Sequence, residues 1–265
     1  MNKKIFFISV FLCLFVSLKT YAAQNVRVSN KNAIGWYNYF GTFKFSKKLG
    51  LHTEYQFRRD DWVKNWQQSL LRVGLNYQIV PKLQFRAGYG WIETFSYGDI
   101  PINSMGKQFT EHRVFESITI TDKVSILDIT HRFMLEQRFS GKYSNGNLKK
   151  EDAFIYTNRM RYMYRMQIPL KGKSIVNSTP YLVVFDEIFI GFGKNVNENV
   201  FDQNRISVLL GYKLNDIFRL EGGYLNQIVQ LGREVDNKNV FQYNNGIILN
   251  FFINVDLNKK ENLSS

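Results

Sequence analysis

FIYTNRMRYMYRMQ, residues 154–167, decides the fold. Every second residue gives Phe154, Tyr156, Asn158, Met160, Tyr162, Tyr164 and Met166 on one side, and Ile155, Thr157, Arg159, Arg161, Met163, Arg165 and Gln167 on the other. A period of two is that of a β-strand, whose side chains alternate faces. The stretch therefore reads as one long strand with an aromatic face and an arginine face. A helix would scatter both sets around its circumference.

The same alternation recurs with turns between. Leu51, Thr53, Tyr55 and Phe57 oppose His52, Glu54, Gln56 and Arg58; Leu71, Val73, Leu75 and Tyr77 oppose Arg72, Gly74 and Asn76. Leu83, Phe85, Ala87, Tyr89 and Trp91 oppose Arg86, Gly88 and Gly90; Ile129, Phe133 and Leu135 oppose Arg132, Glu136 and Arg138. Ile206, Val208, Leu210 and Tyr212 oppose Arg205 and Ser207, and the last run carries Ile247, Leu249, Phe251 and Ile253 against Gly246 and Asn250. In the first run, Trp36 to Phe45, Trp36 and Phe40 on the polar side blur the pattern. Eleven strands are countable. Short links (Ser46 to Gly50, Val80 to Lys82, Thr121 to Lys123, Asn215 and Asp216) alternate with longer polar ones (96–108, 140–152, 191–203, 232–239), with an intermediate link from Pro169 to Thr179.

The chain starts with Lys3 and Lys4, an apolar run from Ile5 to Val16 and small residues before Ala23, a signal peptide by charge and length. The apolar run falls short of the roughly 20 residues a membrane-spanning helix needs. Thr20 three residues back favours cleavage after Ala22 within that 1–23 segment. Cys13, the one cysteine, lies inside it, so residues 24–265 have no disulfide. The net charge of +13, less Lys3, Lys4 and Lys19, leaves about +10. In an exported chain that basic excess points to anionic headgroups or an anion-attracting interior rather than to nucleic acid.

Strands of more than about ten residues, aromatics flanking aliphatic centres and glycines on the polar faces favour lipid outside over a second sheet inside. The expected fold is all-β: an antiparallel up-and-down transmembrane barrel of about twelve strands (10–12), with a short strand near Asn25 to Lys31 or a threaded N-terminus absorbing the odd count. The expected location is the outer membrane of a Gram-negative bacterium, as a monomer, with outer-membrane lipids and the barrel-assembly machinery as partners. His131 and Asn158 point at lipid by parity, unless a bulge turns them inward.

The candidate interior site comprises Glu111, Arg113, Arg132, Glu136, Arg138, Arg159, Arg161, Arg165, Glu187 and Arg205. Two readings stand side by side: an ion-pair network that fills the interior, and a narrow arginine-lined passage for small anionic solutes. Glu136 and Asp128 are candidate partners for the arginines of 154–167. A lipid-modifying enzyme is a third class, but no serine stands near His52, His112 or His131 on a shared face. The three scattered histidines have no metal-ligand spacing, and no cofactor, metal or catalytic residue is assigned.

EHRVFE (111–116), THRFMLEQRF (130–139) and DQNRISVLLGYKL with LEGGYLNQ (202–227) together resemble an uncharacterised bacterial outer-membrane family, domain of unknown function 2490. The resemblance spans nearly all of residues 24–265, including FDEIF at 185–189, and implies a barrel but no reaction. It marks Glu111, Arg113, Arg132, Glu136, Arg138, Glu187, Asn204, Arg205 and Tyr224 as recurring polar positions; Glu116 stands where that pattern has glutamine.

Overall fold

The computed structural model describes residues 27–197 and 199–258. The signal peptide assigned to residues 1–23 lies outside them. Eleven strands close into one barrel: β1 (Arg27–Lys44), β2 (Leu49–Asp60), β3 (Asn65–Val80), β4 (Leu83–Thr94), β5 (Phe109–Val124), β6 (Leu127–Lys142), β7 (Ala153–Pro169), β8 (Thr179–Phe192), β9 (Phe201–Lys213), β10 (Phe218–Val235) and β11 (Lys238–Asp256). Each strand pairs with its sequence neighbours in antiparallel register, and β1 closes on β11 in parallel. The barrel is thus mixed rather than purely up-and-down. It has eleven strands rather than twelve, since Arg27 to Lys31 belongs to β1 and adds no separate strand.

An odd count requires this parallel seam, because the first and last strands then run the same way. Interior amides hold it: Asn32 Nδ2 donates to Asn244 Oδ1 at 2.7 Å, and Asn38 Nδ2 donates to Asn250 Oδ1 at 2.9 Å. Both pairs lie directly opposite in register. Phe40 and Phe252, also opposite, stack at 5.1 Å.

The strand links define two ends. Residues 45–48, 81–82, 125–126, 170–178 and 214–217 lie at the turn end, and 61–64, 95–108, 143–152, 193–200 and 236–237 at the loop end. Besides the start of β1, at Arg27 rather than near Trp36, three boundaries differ from expectation. The β5–β6 turn falls at Ser125 and Ile126, with Ser125 in the left-handed region (φ 57°), rather than at 121–123. Residues 232–239 are hairpin rather than loop: Asp236 and Asn237, at φ 51° and 57°, make a two-residue turn of the kind that matches strand twist. The loop after β8 ends before Phe201, where Gly191 N donates to Val200 O, so Asp202 and Gln203 are strand residues.

Inside and outside follow the predicted parity. The inward set of β7 is buried or half-buried at Arg159, Arg161 and Arg165, and the outward set is exposed at Phe154, Met160 and Tyr164. The interior has two parts. Along β2 to β7 it is filled by charged side chains, and on the opposite wall Ile34, Trp36, Tyr181, Val183, Leu209, Leu225 and Ile248 form an apolar cluster. Two bulky rings need glycine opposite them. A Cβ at Gly74 or Gly88 would meet Phe115 at 3.2 or 2.8 Å, and one at Gly211 would overlap the Tyr181 ring. Of the small residues expected on the polar faces, Gly74, Gly88 and Gly211 are therefore sockets for these rings.

Candidate functional site

All ten candidate residues face the barrel interior, and nine of them join one network. Glu136 on β6 has no exposed surface. Its Oε2 accepts from Arg159 Nε at 2.8 Å, its Oε1 from Arg161 Nη1 at 2.8 Å, and Arg72 and Arg113 approach the same oxygen at 3.5 and 3.8 Å. Glu187 accepts from Arg161 Nη2 and Arg132 Nη2, each at 2.7 Å, with Arg205 at 4.0 Å. Glu111 accepts from Arg113 and, in a fork, from Arg138 at 2.7 and 2.9 Å. Paired guanidinium and carboxylate planes of this kind give strong, directional bonds. Removing a buried charge's partner is far costlier than removing both.

Arg165 stands apart. It donates to Glu221 at 2.5 Å, and Tyr181 OH donates to the same oxygen at 2.9 Å. Asp128, expected to pair with the β7 arginines, lies 3.5 Å from Lys123 on β5 instead. It sits one residue inside the turn, below the arginines.

Several participants fell outside the candidate set, Arg72 and Glu221 among them. Glu54 holds Arg72 in a fork at 2.8 and 2.9 Å and lies 3.2 Å from His52. Asp202 accepts from Arg159 at 2.7 Å and from Arg138 at 3.4 Å, joining β9 to the layer. Trp36 and Gln203 belong to the floor of the cavity above it. The alternation had put Glu54 on a polar face, but Asp202 and Gln203 were hidden in a segment that reads as loop.

Toward the loop end the barrel opens into a cavity of about 580 Å³ lined by Trp36, Arg58, Arg113, Arg138, Asp202 and Arg205, among others. The 95–108 loop folds into this mouth. Tyr97 OH donates to Gln242 Oε1 at 2.7 Å, Gln242 Nε2 donates to Ile100 O at 2.8 Å, and Arg233 Nη2 donates to Pro101 O at 2.7 Å. Burial pushes the Tyr97 hydroxyl above its ordinary value.

His131 and Asn158 face outward, with no bulge between β6 and β7 to turn them in. Tyrosine hydroxyls meet both: His131 Nδ1 lies 2.9 Å from Tyr162 OH, and Tyr156 OH donates to Asn158 Oδ1 at 2.6 Å. Of the recurring polar positions, Asn204 and Tyr224 also face outward. Asn204 Nδ2 donates to Asp186 Oδ1 at 2.6 Å, and Tyr224 OH donates to Asn245 Oδ1 at 2.6 Å. Glu116, also outward, accepts from Gln137 Nε2 at 3.1 Å. The ring nitrogens of His52, His112 and His131 make their hydrogen bonds to Glu54, Tyr89 and Tyr162, and to no serine.

No curated protein matches the chain, and no solved structure does. A closed barrel built on these strand faces is what the three sequence motifs implied, and over residues 33–239 the chain matches, and belongs to, the family described as protein of unknown function DUF2490.

Proposed function

We propose that this protein is an outer-membrane barrel whose interior is closed to ions at mid-height, so that it acts at its loop-end cup rather than as a through pore. The observation that carries this reading is Glu136, without exposed surface in the grip of Arg72, Arg113, Arg159 and Arg161. A water-filled passage would leave the side chains along it wet. Here Phe115 and Phe189 are also fully buried beside the arginines, and the apolar cluster closes the other wall.

The outward surface supports the membrane. Leu71, Val73, Leu75, Val114, Val208, Leu210 and Leu249 are exposed along the middle of the strands. Trp62, Trp66, Trp91, Phe154 and Tyr156 are exposed toward the loop end, and Phe45, Tyr77, Tyr212 and Phe251 toward the turn end. An apolar belt between two aromatic rims matches a bilayer and its interfaces. An exposed apolar area that continuous is foreign to a water-soluble monomer.

The excess of arginines over carboxylates favours a second reading, a narrow anion passage. Planar-bilayer recording of the purified protein separates the two. Sealing predicts no steady current, and a steady anion-selective current would replace it with the passage. Migration on a detergent gel before and after boiling tests the barrel in its membrane state. A folded form that migrates differently supports it; identical migration together with solubility in detergent-free buffer would overturn it.

A further inference from the structure

The cup floor carries more positive charge than its own carboxylates neutralise. Glu111 and Asp202 are shared among Arg113, Arg138 and Arg159. Arg58 is left with amides, and Arg205 with amides and one distant carboxylate. Arg58 is 6 % exposed and donates from Nε to Gln56 Oε1 at 2.8 Å, from Nη2 to the same oxygen, and from Nη1 to Gln68 Oε1 at 2.6 Å. Arg205, 9 % exposed, donates from Nε and Nη2 to Gln203 Oε1 at 3.0 and 2.8 Å, and its nearest carboxylate, Glu187, is 4.0 Å away. Among the described residues, Arg58 has no ion pair.

Both guanidinium groups lie against one indole. Arg58 Cζ stands 3.9 Å and Arg205 Cζ 4.8 Å from the centre of the Trp36 ring, whose Nε1 donates to Gln67 Oε1 at 2.7 Å. An indole face attracts a cation but does not neutralise it, and a buried charge without a counter-charge is costly. Arg58, without a counter-charge, and Arg205, with one only at 4.0 Å, form a preorganised receptor for oxygen anions beside one cavity, since each keeps an N–H on both terminal nitrogens that the amides do not use.

We propose that the cup binds a small oxyanion, a carboxylate or a phosphate group, on Arg58 and Arg205 at the face of Trp36. The proposal rests on the sealed-barrel reading only in that a closed floor keeps the anion from passing through.

Trp36 supplies the readout. With Trp62, Trp66 and Trp91 replaced by phenylalanine, its emission is followed on titrating the folded barrel with inorganic phosphate or citrate, against chloride at equal ionic strength. A saturable change with phosphate, citrate or both, absent with chloride, is expected, and which of them saturates assigns the anion class. Arg58→Gln and Arg205→Gln should each weaken binding by about tenfold or more, the usual weight of a lost charge-assisted bond. Lys150→Gln, the same charge change in the 143–152 loop, should leave it unchanged. If a glutamine variant does not fold, Arg205→Lys keeps the charge, loses the fork, and should still weaken binding severalfold.

No saturable change in the folded protein, or an equal loss with Lys150→Gln, overturns the site. A steady bilayer current together with saturable binding would overturn the sealed floor and leave the site standing; no binding and no current would overturn the site alone.

Discussion

Glu136 and Arg159 stand directly opposite each other on β6 and β7, and the carboxylate accepts from the guanidinium at 2.8 Å, with Glu136 fully buried and Arg159 nearly so. Glu136 is also the point where arginines from β3, β5 and β7 converge. Replacing it with glutamine leaves those cations facing one another, so Glu136→Gln should destabilise the barrel by about 3 to 5 kcal/mol, the cost of breaking a buried pair from one side. Combining it with Arg159→Gln should cost less than the sum of the two single changes. Urea unfolding in detergent micelles, followed by the shift between folded and unfolded gel bands, measures both.

The parallel seam makes a second claim that register alone can test. Asn38 and Asn250 are opposite and bonded, whereas Ile248 lies two residues off register on β11. In a background with Cys13 replaced by alanine, Asn38→Cys with Asn250→Cys should form a disulfide under mild oxidation, since neighbouring strands hold opposed residues within bridging reach. Asn38→Cys with Ile248→Cys should form it poorly. Faster migration on a non-reducing gel reports the bridge, and equal yields from both pairs would refute the assigned register.

Most of the strand faces could be read from parity, because an interior lined with arginine and glutamate contrasts sharply with an apolar outside. That Glu136 partners Arg159, opposite it, and Arg161, on the diagonal, follows from two strands that are neighbours in sequence, joined by the 143–152 loop. The seam was harder to see. Asn30 and Asn32 line the mouth of the barrel, so β1 has no apolar alternation before Ile34 and reads as beginning near Trp36. Asp202 and Gln203 sit in a run of asparagine and aspartate that reads as loop, and it is the pairing of Phe201 with Ile190 and of Gln203 with Phe189 and Val229 that places them in β9. Trp36 looked like an error in the pattern because an inward tryptophan has no place in a purely polar interior. It acquires one beside Arg58 and Arg205, which the sequence distributes over β2 and β9.

The mouth loop is held through Tyr97, whose hydroxyl satisfies the fully buried Gln242 amide oxygen. Tyr97→Phe strands that acceptor, at a cost of about 1 to 3 kcal/mol. A loss of 1 to 2 kcal/mol multiplies the open population by roughly 5 to 30, so trypsin should cut after Lys107 faster by a similar factor. Because burial raises the Tyr97 hydroxyl above its ordinary value, its stabilisation is whole below the usual phenol pKa of about 10 and is lost as pH rises beyond it. Cleavage of the unsubstituted protein should therefore accelerate at strongly alkaline pH, and the phenylalanine variant should not share that acceleration.

Val73 separates lipid from water as the environment of the outer face. It lies at the centre of β3, points outward and is 41 % exposed, between Thr53 on β2 and Tyr89 on β4. No interior contact depends on it, so an arginine there is nearly neutral if the face meets water, as surface changes usually are. At the middle of a bilayer the same substitution costs about 2 to 4 kcal/mol, and the penalty fades toward the interfaces. Reversible unfolding from lipid vesicles should therefore show Val73→Arg strongly destabilised and Tyr77→Arg, nearer the turn end, much less so. Equal and small effects at the two positions would remove the membrane from the account of this surface.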